Sequence, residues 1–414
     1  MNRPRLLILN LYMIEPANSG AKILIKNRIR ELSRSFDITF CCLQESEQDF
    51  ESARLLEKWA SVRLINPKHC RSRSVFRKAL ELLKNPMPLN FMTGMSEWID
   101  NPDFDEVVAT QFDLVEIHSS TFFHRKLLRF SGKKVLAIQN DESEYYQAKA
   151  RITRKENGAL AALPHYCSAA LATRQQKNAL LLSDGFISVY PFHKREMAGK
   201  PFLCSHGGLN LSDFDFSAQN INPPIITFIG AMFVENNIEA VRAFVEQSWP
   251  KLKALQPSAE LRIVGDHRNR SDVIRLGDVD GVTITGLVDS VEEELKQAWV
   301  VIIPIQSGSG IRFKLLEALA AGKAVVSTPK GAEGIAHLEN NTHLLVTQLD
   351  EFSNKIDWLI RNPFERQVLE NAAKRYSEKY LDSKTLHQEI ETFYKSLLDR
   401  ELSKSVTERR ASNF

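Results

Sequence analysis

No run in this 414-residue chain approaches the roughly eighteen uninterrupted apolar residues of a membrane-crossing helix, so no segment is expected to span a bilayer. Neither sign of charge is in excess. The 54 Lys and Arg stand against 51 Asp and Glu, and a net charge of +3 gives no reason to expect a nucleic-acid partner. Gly and Pro number only 18 and 16, which excludes fibrous and low-complexity classes. Cysteine is scarce too: Cys41, Cys42, Cys70, Cys167 and Cys204 show no metal-like spacing. Their odd count, and the adjacent pair that cannot easily close on itself, fit reduced thiols in a cytoplasmic compartment. There is no fixed-period repeat, so a solenoid is excluded.

Apolar residues make up 43% of the chain and charged residues 25%, the balance of a globular protein, and the length suits two or three domains. The first residues imitate a secretory signal, with Arg3 and Arg5 before Leu-Leu-Ile-Leu. Asn10 interrupts the run, however, and Glu15-Pro16 stands where a small-residue cleavage site belongs, so a buried first strand is the better reading. Short apolar runs then alternate with helical-period segments, as in parallel α/β sheets. In the first half the expected strands are Arg5–Leu11, Asp37–Leu43, Val62–Ile65, Leu114–Ile117, Val135–Ile138 and Gly185–Val189. Helices are expected over Ala21–Ser35, Gln48–Ala60 and Thr121–Phe130, with a long stretch from Ser143 to Leu182.

A polar, turn-rich piece around Leu211–Pro224 interrupts this alternation. Strands are expected again at Ile225–Ile229, Glu260–Val264, Val282–Thr285, Trp299–Ile305, Ala324–Ser327 and Leu344–Val346, followed only by helices. The expected plan is an α/β protein of two Rossmann-like domains with parallel sheets facing a cleft. Residues 1–215 form the first domain, 216–224 a linker, and 225–380 the second domain. A helix over 381–402 returns to the first domain, and 403–414 is a tail.

The most informative segment runs from Trp299 to Thr328: a buried strand, the turn Gly308-Ser309-Gly310-Ile311, a helix and a second buried strand. Glycines let backbone amides approach a ligand, and a helix N-terminus presents unpaired N–H donors with a positive dipole end. Arg312 and Lys314 stand in that first turn, where the dipole disfavours cations by about 0.3–1 kcal/mol each. A bound diphosphate would reverse that penalty; a surface pair between Lys314 and Glu317 would also relieve it, and the local chemistry leaves both open. Glu317, among Leu315, Leu316, Ala318 and Leu319, is expected to be half sheltered and in need of a donor such as a ribose hydroxyl.

The run from Gly308 to Ile335 resembles the donor-binding signature of family 4 retaining glycosyltransferases, most closely a bacterial branch with a Gly-Ser-Gly-Thr-Arg-Leu-Lys-like version. The resemblance implies a GT-B fold. It also implies a nucleotide sugar held mainly by the second domain, a glycan or lipid-linked acceptor at the first, and neither metal nor cofactor. Glu317 matches the second Glu of that family's Glu-x7-Glu motif, but the first falls on Ser309. The family's Gly-Arg-x4-Lys-Gly cations are also missing, since this chain reads Gly230-Ala-Met-Phe-Val-Glu-Asn-Asn237. Arg312 and Lys314 are expected to supply the charge instead; a weakly active or non-catalytic nucleotide-sugar-binding homologue, or a nucleotide-sugar epimerase, are the alternatives. Gly265 and the segment with Gly286 and Leu287 resemble the strand ends that line the base pocket, and Glu333 lies in a loop on the same edge.

In the first domain, Gly20 and Ala21 resemble the family's Gly-Gly turn. Gly207 and Gly208 resemble a turn before the linker. His118, at the carboxyl end of a strand, is the candidate for orienting the acceptor or handling a proton, with His124 a weaker one. The segment 68–84 carries Lys68, Arg71, Arg73, Arg77, Lys78 and Lys84 against Glu81, and is a candidate for peripheral contact with an anionic membrane. Three Asp-x-Asp triplets (Asp103/Asp105, Asp213/Asp215, Asp278/Asp280) are read as chance rather than as a metal site.

Overall fold

The computed structural model describes residues 3–17, 20–70, 98, 100–120, 123, 125–139, 141–190, 199–214, 222–308 and 310–399. The chain divides into two compact units, Met1–Gly207 with Lys384–Phe414, and Gly208–Ser383. The expected linker over 216–224 falls mostly outside the described residues, as do the bulk of the basic segment 68–84 and the tail.

The first unit holds a seven-stranded sheet made of β1 (Arg5–Leu9), β2 (Asp37–Leu43), β3 (Ser61–Ile65), β4 (Leu114–His118), β5 (Lys133–Ile138), β6 (Gly185–Ser188) and β7 (Phe202–Cys204). Their order is β3-β2-β1-β4-β5-β6-β7, every pair parallel. Leu6 sits between Ile38 and Leu114 in register. The central strands are largely apolar because both faces of a parallel sheet are covered, with Glu116 and His118 in β4 as the exceptions. Leu7, Val115, Ile117, Leu136 and Phe186 are buried with Phe104 and Phe130 in one core cluster.

The second unit holds a six-stranded parallel sheet of β8 (Ile225–Ile229), β9 (Glu260–Val264), β10 (Val282–Gly286), β11 (Val300–Ile303), β12 (Ala324–Ser327) and β13 (Leu345–Val346) in the order β10-β9-β8-β11-β12-β13. Strand order reverses between β8 and β11, and in open α/β sheets ligands bind at the carboxyl ends of strands beside such a reversal. Helix Phe313–Ala320 buries Leu315, Leu316 and Leu319 against this sheet and leaves Lys314 and Glu317 half-buried.

Two expectations need correction, and one strand was not expected. The helix expected over Thr121–Phe130 is a short 3-10 turn, Arg125–Arg129, among the described residues. The stretch Ser143–Leu182 is a hairpin of two helices, Glu142–Asn157 and Ala159–Leu182, broken at Gly158, whose φ of 89° is the left-handed conformation glycine adopts without penalty. Strand β7 has only three residues and shows no readable alternation.

Candidate functional site

At the strand-order reversal of the second sheet, the loops after β8 and β11 come together. Gly308 and Gly310 take φ of 97° and 79°, so the turn before helix Phe313–Ala320 needs glycine at both positions; Ser309 lies outside the described residues, and Ile311 is half-buried beside them. Arg312 occupies the position before the helix. Its Nη2 donates to the carbonyls of Ser307 (3.3 Å) and Gly308 (2.9 Å), so the guanidinium fastens the turn that precedes it.

Lys314 makes no ion pair with Glu317; its Nζ donates to Asn237 Oδ1 at 2.5 Å and stands 4.4 Å from the centre of the Phe228 ring. Asn237 in turn donates from Nδ2 to the Ala231 carbonyl at 2.8 Å, which fixes the amide's orientation. The ammonium of a residue on the helix that follows β11 is therefore delivered to the turn after β8. A Cβ on Gly230 would lie 2.6 Å from Lys314 Nζ, and one on Gly308 would lie 2.3 Å from Asn236 Nδ2. Asn236 and Asn237, which stand in the turn that lacks cations, thus link the two loops. Burial, then the neighbouring Arg312 charge, push Lys314 down to about 7, with Glu317 acting weakly the other way.

The Glu317 carboxyl forms neither a hydrogen bond nor an ion pair among the described residues. Burial, reinforced by the Glu292 charge, raises it to about 7. A carboxyl held partly neutral wants a donor. The folded state keeps a proton that the unfolded chain releases above 4.5, so Glu317 contributes stability below that value and loses it as pH rises through about 7. Glu317→Gln is permanently neutral. Its stability advantage over the parent in urea titrations should grow from pH 5 to pH 8 to about 1–2 kcal/mol, and a pH-independent difference would show that Glu317 is not burdened.

The other second-unit candidates fall into two groups. Gly265, φ 141°, meets Gly230 so closely that a Cβ would sit 2.1 Å from the Gly230 carbonyl oxygen, and its N–H donates to the Gly286 carbonyl at 2.9 Å. The ends of β8, β9 and β10 thereby form one edge, with Leu287 exposed beyond it. Glu333 lies in the loop after β12, where it pairs with Lys330 at 2.5 Å. Gly208, φ 69°, packs on the backbone of Leu381 and Ser383, where a Cβ would come within 2.6 Å.

Gly230→Ala separates site from scaffold. The added Cβ meets the movable ends of Lys314 and Asn237 rather than backbone. Unfolding free energy should change by less than about 1 kcal/mol. Turnover should fall toward that of a variant lacking the ammonium, and turnover equal to the parent would detach Lys314 from the reaction.

In the first unit, Gly20 and Ala21 open helix Gly20–Leu32, and Gly207 (φ 72°) packs against Leu24 and His387. His118 ends β4 only 2% exposed, its Nε2 lying 2.8 Å from Glu116 Oε1 and its Nδ1 3.0 Å from Gln139 Nε2. With the Gln139 amide donating to Nδ1, the proton sits on Nε2, close to the Glu116 carboxylate. Glu116 also pairs with Arg28 and accepts from the Tyr394 hydroxyl at 2.5 Å. Burial pushes His118 down. For Glu116, burial acts upward but is outweighed by Arg28 and His118, and the carboxylate is held well below its usual range. His118 is thus a member of a buried charge network. Arg28, Glu116 and Tyr394 were missed; a Glu inside the apolar run Leu114-Val-Glu-Ile-His118 was the available signal. His124 lies outside the described residues. Ser119, φ 81°, and Ser120 next to it both donate to Glu142.

No three His, Cys, Asp or Glu side chains gather as a metal site among the described residues. Members of the Asp-x-Asp triplets serve separate local pairs, Asp103 with His69, Asp105 with Lys126 and Asp280 with Lys253. No described helix is long and apolar enough to cross a membrane.

Residues 223–362, which carry this edge, match the family model described as glycosyl transferases group 1. The chain is 24% identical over 345 residues to an uncharacterized 44.6 kDa protein in the cps region of Klebsiella pneumoniae, covering 81% of this chain and 85% of that one. Its fold is that of solved GT-B glycosyltransferases. Anabaena Alr3699/HepE in complex with UDP-glucose superposes with a TM-score of 0.64 at 14% identity, covering 95% of this chain and all of that one. S. aureus TarM gives 0.69 at 11%, covering 94% and 98%. The lipopolysaccharide outer core galactosyltransferase WaaB gives 0.58 at 13%, covering 94% and 99%.

Proposed function

We propose that this chain is a metal-independent retaining glycosyltransferase that moves a sugar from a nucleotide diphosphate to a glycan or lipid-linked acceptor, in building a bacterial surface polysaccharide on the cytoplasmic side. One observation carries the reading: an ammonium group and a helix N-terminus converge on a glycine-lined edge at the strand-order reversal, within residues that match the group 1 glycosyl transferases. The family match and the shared fold support glycosyl transfer. The relative in a cps region and the galactosyltransferase WaaB support the polysaccharide setting.

In this reading the departing diphosphate meets the amides of the Gly308–Gly310 turn and Lys314, which stabilise the charge that develops as the glycosidic bond breaks. Arg312 holds the turn in shape and adds its charge. Glu317 accepts from the ribose hydroxyls, whose donation would restore its ionised form. The ends of β9 and β10 receive the base. No side chain is assigned as nucleophile. His118, enclosed by its partners, keeps the end of β4 in place.

The test is a thermal-shift screen with uridine, guanosine, adenosine and thymidine diphosphates, followed by measurement of nucleoside diphosphate release from the matching sugar donors. The Anabaena complex with UDP-glucose makes the uridine series the first to try. Selective stabilisation with release supports transfer, and stabilisation without release indicates a binding protein. Stabilisation without release would overturn transfer, and the absence of both stabilisation and release would overturn the whole reading.

A further inference from the structure

The helical hairpin between β5 and β6 is patterned in reverse. Helix Ala159–Leu182 turns Ala162, Ala169, Ala172 and Gln176 inward, whereas Leu160 is 88% and Leu163 57% exposed, with Tyr166 exposed one turn further on. Small and polar side chains face the protein and large apolar ones face water, the opposite of what burial alone selects. Leu160, Leu163 and Cys167 follow i, i+3, i+7 spacing and so share one face. The bend at Gly158 lies in the open, since a Cβ there would meet nothing within 4 Å.

Charge identifies what covers this face. From Glu142 to Leu182 the hairpin carries six basic residues, Lys149, Arg151, Arg154, Lys155, Arg174 and Lys177, against Glu142 and Glu144 at its base and Glu156 near the tip. All six are exposed, and Arg151, Arg154 and Lys155 lie in the two turns before the bend that presents Leu160. A second copy on this face would set like charges against each other. We propose that the tip of this hairpin docks on an anionic lipid surface, with Leu160, Leu163 and Tyr166 entering the headgroup boundary and the basic side chains meeting lipid phosphates. This surface is separate from the one assigned to the donor, and the inference does not rest on glycosyl transfer.

The experiment is flotation of the full chain with vesicles of phosphatidylcholine, alone or with phosphatidylglycerol, at low and high salt. Binding is expected only with phosphatidylglycerol and should fall steeply with salt. Leu160→Ser with Leu163→Ser, and separately Arg151→Gln, Arg154→Gln and Lys155→Gln together, should each weaken partitioning about tenfold or more. All five positions are exposed, and unchanged melting of both variants shows that the fold is intact. The assignment is overturned if the parent does not bind anionic vesicles or if both variants bind as the parent does. Loss confined to replacement of Arg71, Arg73, Arg77 and Lys78 would also overturn it. So would a dimer in sedimentation that the leucine variant dissolves. A nucleoside diphosphate thermal shift on the same variants tests the donor reading independently.

Discussion

Lys314→Ala is expected to lose about 10- to 150-fold in turnover, equivalent to about 1.5–3 kcal/mol for a hydrogen bond to a charged group, while its unfolding curve stays close to the parent's. The ammonium stands at the second position of helix Phe313–Ala320, where the dipole opposes it, and burial brings it down to about 7. Without an anion, the group is costly to the fold, so its removal has little structural penalty. With a diphosphate beside it, the charged form is favoured and the proton is held more tightly. Two consequences follow for the pH profile. Free enzyme loses the ammonium charge as pH rises through about 7, so kcat/KM should decline on that limb, and the corresponding limb of kcat should lie at higher pH. Arg312→Ala should fall in the same range, by freeing the Ser307 and Gly308 carbonyls and loosening the turn as well as by losing charge. Asn237→Ala, which leaves the lysine present but unheld, should show an intermediate loss. Parental turnover in both Lys314→Ala and Arg312→Ala would end the proposal that these two side chains replace the missing cations of the β8 turn.

The elements legible in the sequence are those whose physics is local. β2, β8, β9 and β12 lie over the expected residues because apolar side chains cluster over a strand's length in each, and turn residues mark the ends. The turn of Gly308 and Gly310 and the unfavourable placement of Lys314 could be read because glycine conformation and the helix dipole act within a few residues. The destination of Lys314 could not: Asn237 is 77 positions away, and only the adjacency of β8 and β11 brings them together. His118 shows the same limit more sharply. Its position at a strand end suggested chemistry, but its environment is set by Glu116, and through it by Arg28 at 88 and Tyr394 at 278 positions' distance. A charged residue within a buried strand demands a partner, and that requirement was readable even though the partner's identity was not.

Glu116→Ala is expected to be the most destabilising substitution at this network, at about 3–5 kcal/mol, because it strands the Arg28 guanidinium in the interior. Arg28→Met strands the carboxylate instead and should cost a similar amount. The double variant Arg28→Met with Glu116→Leu should recover a large part of either loss, since two apolar side chains of similar size leave no orphaned charge. Tyr394→Phe removes only a donor and should cost about 1.5–3 kcal/mol. Its effect should be uneven. Tyr394 lies on helix Ser383–Leu398, so hydrogen exchange should accelerate there before it does in β1 or β4. The pH dependence gives an independent check. The folded-state pKa of Glu116 is depressed, so its contribution is fully present above the ordinary carboxylate range and is lost as pH falls below it. The gap between parent and Glu116→Ala in urea titrations should therefore stay constant from pH 6 to 8 and narrow in acid. A gap that instead widened in acid would mean that the network is held by the uncharged forms, and the ion pair would not be what fixes the C-terminal helix to the first sheet.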